Sequence, residues 1–345
     1  MKQEQYEARR PFAGEKKPSM NRRFVGHDYQ ERQIYMVTMV TEGRQKYFGE
    51  VVGRSDAVAG TQEEPHIELS PLGKAVKDCW FSIPHFYPSV KLIALQMMPD
   101  HFHGILFVSE HMESTLGDVL HGFKTGCNKC FRKLMPVEYV AAMRLQTERN
   151  ERANGQRDRN HGLLFAPNYN DKLLLRDGQL EKWKAYLNDN PRRLLMKREH
   201  TDLFRVQRNL QWADMTFSAI GNRFLLDRPV KLQVQCSRRI TPEDFLKQKE
   251  RLLSAAANGA VLVSPAISQG EKAIMREAFE LGYPEIVLQE NGFTDLAKPG
   301  GQRFDACARG QLLLLAPWEH HNEHILISRH QCLSLNEMAA RICKI

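Results

Sequence analysis

The chain has 345 residues, of which 42% are hydrophobic, and it carries a formal net charge of +8 at pH 7. That length accommodates two domains, and that hydrophobic content excludes a disordered chain. The basic balance favours a polyanionic partner such as a nucleic acid. The 7 cysteines are odd in number and scattered, which excludes a disulfide scaffold and indicates a reducing, cytoplasmic setting.

Residues 1–24 are polar and basic, and they predict a flexible arm without the apolar core of a secretory signal peptide. No apolar run approaches the roughly 20 residues that a membrane-spanning helix needs. We therefore expect a cytoplasmic protein with no membrane partner.

Residues 25–205 predict one α+β domain, in which β-rich runs and amphipathic helices follow one another. Ser70 and Pro71 are typical of a helix start, and Pro191 is expected to end the last helix. We expect an antiparallel sheet with its helices on one side, and an exposed polar insertion at about 145–162. The expected strands are at 34–41, 47–52, 90–97, 102–108 and 172–176, and the expected helices are at 70–83, 114–134 and 179–190.

Residues 222–345 have a different pattern, in which predicted strands alternate with predicted helices. This alternation predicts a second, smaller α/β domain with a parallel sheet of the doubly wound type. In such sheets a ligand binds beyond the carboxyl ends of the strands, here at segments such as 264–266 and 316–318. The expected strands are at 230–236, 260–264, 285–289 and 311–315.

The most informative motif spans residues 98–108, where His101 and His103 flank Phe102 at the start of a predicted strand. Successive side chains of a strand point to opposite faces, so the two imidazoles share one face. Such a pair is half of a site for a divalent metal ion. On spacing alone, two ordinary histidines are the more frequent explanation.

A second element lies in the helix expected at 179–190. Tyr186 and Asn190 are four residues apart and therefore share one helix face. If that face meets the histidine strand, two imidazoles and an amide oxygen can hold a divalent cation and leave positions open for phosphate oxygens. Tyr186 could then attack phosphorus and form a covalent intermediate. The alternatives are a core tyrosine, an ordinary helix-end asparagine, and Tyr169 in a loop as the nucleophile.

Together these motifs resemble the His-hydrophobic-His (HUH) single-tyrosine transposases of bacterial insertion sequences, and more closely their REP-associated relatives. The resemblance covers roughly residues 24–200 and implies a ferredoxin-like sheet with the histidines on a central strand. In that family the histidines bind Mg²⁺ or Mn²⁺, and the tyrosine makes a 5′-phosphotyrosine link to single-stranded DNA, leaving a 3′-OH. The resemblance implies these roles for His101, His103 and Tyr186, with Asn190 as the third metal ligand.

The chain departs from that family in several places. Asp100 precedes the first histidine, where Asn or Glu is common, and Asn190 stands where the insertion-sequence enzymes have Gln. The insertion and the second domain are additional, which leaves open whether the chain serves a mobile element or its host. Residues 264–271 and 303–310 faintly resemble the Rossmann-like domain of the DNA-processing protein DprA. That likeness implies a phosphate at a helix-opening turn and leaves the ligand of this domain unknown.

Binding of single-stranded DNA needs basic groups around the cleavage site. A solvated helix face explains the available basic residues equally well. The candidates are Lys124, Lys129, Arg132, Lys133, Arg192 and Arg193.

The leading hypothesis is a metal-dependent transposase or endonuclease that acts on hairpin-bearing single-stranded DNA with Mg²⁺ or Mn²⁺. One alternative is a domesticated nucleic-acid-binding protein without strand transfer, and another is a replication initiator or relaxase-type nickase. Retention of His101, His103 and Tyr186 argues against the first, and the lack of a third metal histidine argues against the second. The sequence leaves both a monomer and a homodimer open.

Overall fold

The structure, a computed structural model, describes residues 27–58, 60–152, 163–237, 239–323 and 326–344. For residues 150–152 it describes the backbone only. The predicted arm at 1–24 lies outside these residues, as does the segment 153–162 of the predicted insertion. Within the described ranges the chain divides into two compact units, 27–195 and 196–344. None of the helices in these ranges is long and apolar enough to cross a membrane.

The first unit is built around a four-stranded sheet whose strands and major helices follow the order β–α–β–β–α–β along the chain. Its strands are β1 (Gln33–Val40), β2 (Gly49–Val52), β3 (His66–Leu69), β4 (Val90–Met98), β5 (His101–Val108) and β6 (Asn170–Leu173). Its helices are α1 (Pro71–Phe81), α2 (Ile83–Phe86), α3 (Leu116–Leu134), α4 (Pro136–Arg152) and α5 (Gln179–Glu199). The spatial order β4–β5–β1–β6 is antiparallel throughout, and β2 pairs with β3 separately. The α+β class predicted for this part of the chain is confirmed.

Helices cover both faces of this sheet. On one face, Phe102 and Leu106 of β5 pack into a core with residues of α1 and α3, among them Trp80 and Phe123. On the other face, Ile105 of β5 packs with Leu187 of α5. The prediction that the helices lie on one side is therefore wrong. The physical reason is that the inner strands are apolar on both faces, so each face needs a cover.

Trp80 packs directly behind the histidine strand. Its ring meets the Phe102 ring edge-on, with 5.3 Å between the ring centroids. A Cβ added to Gly104 would lie 2.3 Å from Trp80 Cζ2, a distance that no real Cβ contact has. The glycine after His103 is thus required for the indole and the strand to approach each other.

Helix α5 continues through Pro191 to Glu199, so the prediction that Pro191 ends it is wrong. A proline inside a helix cannot donate to the carbonyl four residues earlier, here that of Leu187, and typically costs about 3 kcal/mol. Both Leu187 and Pro191 are buried, and this packing offsets the loss. The residues 145–152, predicted to belong to an exposed insertion, form the end of α4.

The second unit contains a six-stranded mixed sheet. Its strands are β7 (Gln207–Trp212), β8 (Met215–Gly221), β9 (Lys231–Gln233), β10 (Val261–Ser264), β11 (Glu285–Leu288) and β12 (Leu312–Ala316). Its helices are α6 (Thr201–Phe204), α7 (Pro242–Ala257), α8 (Gln269–Glu280), α9 (Gln302–Ala308) and α10 (Arg329–Lys344). The sheet order is β7–β8–β12–β11–β10–β9, and the sheet begins before residue 222, the predicted start of the domain.

The four parallel strands predicted from sequence are confirmed, but they are not doubly wound. Strands β9 to β12 lie side by side in chain order, and β8 and β7 add antiparallel strands beyond β12. Helices α7, α8 and α9 pack on the face of Leu262 and Leu312, whereas α10 packs on the face of Val263. Since the strand order does not reverse within the parallel part, the crevice at which doubly wound sheets bind ligands does not form.

Candidate functional site

His101 and His103 lie side by side on β5, as the strand alternation predicted. Their ring centroids are 5.0 Å apart, and the rings are nearly perpendicular. Strand β5 is an inner strand, paired with β4 on one side and β1 on the other. The tight turn at Pro99 and Asp100 places His101 at the start of the strand.

A neighbouring side chain fixes the Nδ1 atom of each histidine. Thr38 Oγ1, directly across from His103 on β1, lies 2.7 Å from His103 Nδ1. Asp100 Oδ1 lies 2.6 Å from His101 Nδ1. With both Nδ1 atoms engaged, the Nε2 atoms are the ones left to coordinate a metal ion, the arrangement typical of metal-binding histidines.

Burial sets the charge of His103. Burial first, and then the positive charges of His101 and Lys172, lower the pKa of His103 to about 3. The imidazole is therefore neutral at physiological pH, as metal coordination requires. Burial raises the pKa of Asp100, but the hydrogen bonds and charges of His101 and Arg44 together outweigh it and lower that pKa overall. No sequence pattern pointed to Thr38 or Lys172, or to a role of Asp100 at the site.

Helix α5 places Tyr186 beside the histidines. The centroids of the His103 and Tyr186 rings are 6.1 Å apart, and Tyr186 is 37% exposed. Trp183 packs edge-on against Tyr186 at 5.5 Å, and the guanidinium of Arg193 lies 5.8 Å from the centre of the same ring. The tyrosine ring is thus held in place while part of it reaches solvent.

Asn190 lies one turn further along α5 and is buried at 9% exposure. Its Nδ2 atom has no hydrogen-bond partner among the described residues. An unpartnered buried amide is unusual, because such a group costs about 1–3 kcal/mol. An NH₂ group donates, so its missing partner would be an acceptor such as a phosphate oxygen and not a cation.

These residues fit a divalent metal ion. Two imidazoles whose Nδ1 atoms are engaged by neighbours, together with an amide oxygen, form a ligand set that leaves coordination positions open. No three His, Cys, Asp or Glu side chains in the described parts of the chain are grouped to hold a metal ion by themselves. A third protein ligand for an ion at His101 and His103 would therefore have to be of another kind, such as an amide oxygen.

The basic residues predicted to bind DNA fall into three groups. Lys124 Nζ donates to the carbonyls of Ala166 and Asn168 at 3.3 and 2.8 Å, and burial lowers the pKa of Lys124 to about 8. It anchors the segment before β6. Lys129, Arg132 and Lys133 are exposed on α3, which packs on the sheet face opposite to the histidines. Among the predicted set, only the arginines of α5 remain on the histidine side.

Arg192 and Arg193 share the carboxylate of Asp189. Arg192 Nε lies 2.5 Å from Asp189 Oδ1, and Arg193 Nη1 lies 3.5 Å from Asp189 Oδ2. Arg193 is also buried against Tyr186.

The rival nucleophile Tyr169 has a buried hydroxyl oxygen. Of the two tyrosines considered, Tyr186 is the one that has both a histidine neighbour and exposure.

The helix-opening turn of α8, predicted as a phosphate site, is occupied by a carboxylate of the chain. Ser268 caps the helix, and Glu271 Oε2 accepts from the backbone N–H groups of Ile267 and Ser268. Glu271 Oε1 accepts from the N–H of Cys236. A phosphate at this turn would be repelled by the buried Glu271, so this interpretation of the turn is not supported.

Comparisons with known proteins give weak similarities. No family model matches the sequence. An uncharacterised protein of Haemophilus influenzae is 24% identical over 131 residues, which are 32% of this chain and 67% of that protein. A solved REP-associated tyrosine transposase bound to a REP hairpin is similar at a TM-score of 0.28 and 10% identity, over 48% of this chain and 70% of that one.

Two further solved structures are similar to the same degree. A protein described as a candidate transposase from Deinococcus radiodurans has a TM-score of 0.27 and 15% identity, over 48% of this chain and 95% of that one. The single-stranded-DNA-binding DNA processing protein A of Helicobacter pylori has a TM-score of 0.28 and 20% identity, over 39% of this chain and 60% of that one. Similarities of this size carry no inference about activity.

Proposed function

We propose that the first unit cleaves and rejoins single-stranded DNA through a covalent link to Tyr186, with His101, His103 and Asn190 holding Mg²⁺ or Mn²⁺. The observation that carries this proposal is the approach of Tyr186 to His103, at 6.1 Å between ring centroids. The sheet order β4–β5–β1–β6 supports a ferredoxin-like fold of the HUH type, because it places the histidines on an inner strand.

A bound divalent cation would neutralise phosphate charge and stabilise the additional charge of the transition state. The protein supplies the rest of the chemistry. Thr38 and Asp100 orient the imidazoles through their Nδ1 atoms. Arg193 and Lys172 bring positive charge to the surroundings of Tyr186 and His103, where a phosphodiester would lie.

The covalent step begins when the Tyr186 hydroxyl loses its proton to solvent and its oxygen attacks phosphorus. The new bond joins the tyrosine oxygen to the 5′-phosphate, and the bond from phosphorus to the 3′-oxygen breaks. The departing 3′-oxygen takes up a proton and becomes a 3′-OH. Attack by a 3′-OH on the same phosphorus reverses the step, releases Tyr186 and rejoins a strand. A tyrosine hydroxyl is a weak nucleophile at neutral pH, so alignment and nearby positive charge must support its attack.

The same site and the basic balance of the chain support the proposed substrate class. A part-exposed tyrosine on a helix face can reach a strand that is not held in a duplex. The resemblance of the histidine and tyrosine motifs favours a strand that carries a hairpin. We expect Arg193 and the exposed part of α5 to follow the phosphates next to the cleavage point.

The test is a covalent-adduct assay with the full chain. Labelled hairpin-bearing single-stranded DNA is incubated with Mn²⁺ or Mg²⁺, and the products are separated on a denaturing gel. We expect an adduct that is lost in Tyr186→Phe and retained in Tyr169→Phe. His101→Ala should retain DNA binding and lose the adduct, whereas His85→Ala, an exposed histidine on α2, should behave as wild type.

An adduct that survives Tyr186→Phe would refute the assignment of the nucleophile. DNA binding without any adduct would favour a nucleic-acid-binding protein that lacks strand transfer. Mixing Tyr186→Phe with His101→Ala then tests whether two copies cooperate. Recovered adduct in the mixture would show that the tyrosine of one copy works with the histidines of another.

A further inference from the structure

A groove in the second unit lies between α8 and α9, above β11. Its volume is about 450 Å³, which is the size of a site for a small organic ligand. We call it the Glu285 groove. Its lining includes Glu285 and Val287 of β11, Lys272, Arg276 and Phe279 of α8, and Arg303 of α9.

Glu285 forms the floor of this groove. In the sheet register it pairs with Leu262 on one side and with Leu312 on the other, so its side chain points to the same face as theirs. That face is the one covered by α7, α8 and α9. A single acidic residue therefore interrupts a row of leucines beneath the helices.

The Glu285 carboxyl is buried and has an unpartnered oxygen. The residue is 2% exposed, and its Oε1 atom has no hydrogen-bond partner among the described residues. Burial raises the pKa of Glu285 to about 8, although the positive charge of Arg303 opposes this. At neutral pH the group is mostly a neutral carboxylic acid with one donor and one acceptor oxygen. Because buried polar groups are nearly always paired, this group points to a missing ligand.

The rim of the groove is positively charged. Lys272 and Arg276 are four residues apart on α8 and share one helix face, and Arg303 stands opposite on α9. All three are exposed, and none makes an ion pair with a described residue. Glu280 is the one exposed acidic side chain among the described residues that line the groove. The excess of positive charge at the rim suits an anionic group on the ligand.

The walls between rim and floor are apolar. Met275 and Phe279 of α8 face Val287 and Leu312 of the sheet across the groove. A flat ring can pack between such walls, with its polar edge towards Glu285. A nucleobase has this shape, and its edge carries a donor beside an acceptor, as the neutral carboxylic acid does.

We propose that the Glu285 groove binds a nucleotide, with the base edge on Glu285 and the phosphate between Lys272, Arg276 and Arg303. The nucleotide is either free or part of a DNA strand, because both present the same base and phosphate. This site is separate from the histidine–tyrosine site and does not depend on the function proposed for it. It also differs from the α8 turn, whose N–H groups Glu271 already occupies.

The test is isothermal titration of the full chain with dAMP, dGMP, dCMP and dTMP, with a dinucleotide and with inorganic phosphate. We expect at least one nucleotide to bind with a dissociation constant below about 1 mM, and phosphate alone to bind at least about tenfold more weakly. Glu285→Gln keeps a donor and an acceptor and should retain binding. Glu285→Leu removes both and should weaken binding about tenfold or more.

The rim is tested by the double variant Lys272→Ala/Arg276→Ala, which should also lose about tenfold in affinity. Arg251→Ala removes an exposed charge from α7 outside the groove and serves as the matched control. Circular dichroism and melting curves show whether each variant is folded. Tighter binding of the dinucleotide than of the mononucleotides would identify a strand as the source, and the reverse would identify a free nucleotide. Absence of binding by all nucleotides, equal binding of phosphate alone, or wild-type affinity in Glu285→Leu would overturn the proposal.

Discussion

Thr38 and His103 face each other across the β1–β5 pair, and Thr38 Oγ1 lies 2.7 Å from His103 Nδ1. This contact determines which nitrogen of His103 is left for coordination. A polar residue on the neighbouring strand is therefore part of the proposed metal site without being able to touch the ion.

Thr38→Val keeps the shape of the side chain and removes this contact. We expect the affinity for Mn²⁺ to fall by about 10–100-fold, because the imidazole is no longer oriented. Isothermal titration with Mn²⁺ in the absence of DNA measures the change. Thr125→Val, on α3, removes a hydroxyl that bonds only to a helix carbonyl and should leave the affinity unchanged. Equal affinities of Thr38→Val and wild type would contradict the orienting role.

Gly104→Ala places a methyl group against Trp80. Since the added Cβ would lie 2.3 Å from the indole, either the ring or the strand must shift, and we expect a loss of about 1–3 kcal/mol in unfolding free energy. Urea denaturation measures it. Gly126→Ala, on α3, is the matched control, because the added Cβ would lie 3.6 Å from Cys79 Sγ, an ordinary contact distance. That control should be neutral or stabilising by up to about 1 kcal/mol. Equal stability changes would refute the steric account.

Cys79 is expected to be the most reactive thiol at neutral pH. Its Sγ lies 3.8 Å from Cys130 Sγ, and hydrogen bonds from Cys127 first and then Cys130 lower the pKa of Cys79 to about 6 against the effect of burial. Its alkylation rate by iodoacetamide should rise with a midpoint near pH 6, as followed by peptide mass spectrometry. Cys343, whose pKa burial raises to about 11, should react far more slowly. Cys127→Ala should move the midpoint upwards, and an unchanged midpoint would contradict the hydrogen-bond explanation.

Glu285 makes the stability of the second unit depend on pH. Because the pKa of the folded state is raised to about 8, the folded chain binds the proton more tightly than the unfolded chain. The contribution of Glu285 to the unfolding free energy is therefore fully present below about pH 4.5 and is lost as the pH rises through about 8, by on the order of 5 kcal/mol. Glu285→Gln should abolish this loss, whereas Glu280→Gln, at the exposed rim, should not. Melting curves between pH 5 and 9 give the comparison, and parallel curves for wild type and Glu285→Gln would refute it.

Local sequence patterns predicted much of the first unit. The period-2 alternation at residues 101–108 placed both histidines on one face, and Ser70 with Pro71 marked the start of α1. The spacing of Tyr186 and Asn190 predicted a shared helix face. These inferences succeed because they depend on backbone periodicity within one element.

The predictions that failed concern features that depend on packing between elements. Local rules end a helix at Pro191, but burial of the neighbouring residues carries α5 past it. Lys124 has the sequence environment of a surface lysine, yet two carbonyls more than forty residues away bind it. The strands β7 and β8 were not predicted, and their place in the second sheet follows from pairing of β8 with β12 and of β7 with β8. Glu285 also could not be recognised, because only the fold surrounds it with leucines.

The position of the histidines on an inner strand has a consequence for how tightly they can hold an ion. Strand β5 is paired along both edges, so its backbone has little freedom left to lose when a ligand arrives. His101 and His103 therefore lose their conformational entropy when the chain folds and not when the ion binds. Substitutions that loosen β1 or β4 should therefore weaken metal affinity even where they leave every ligand in place.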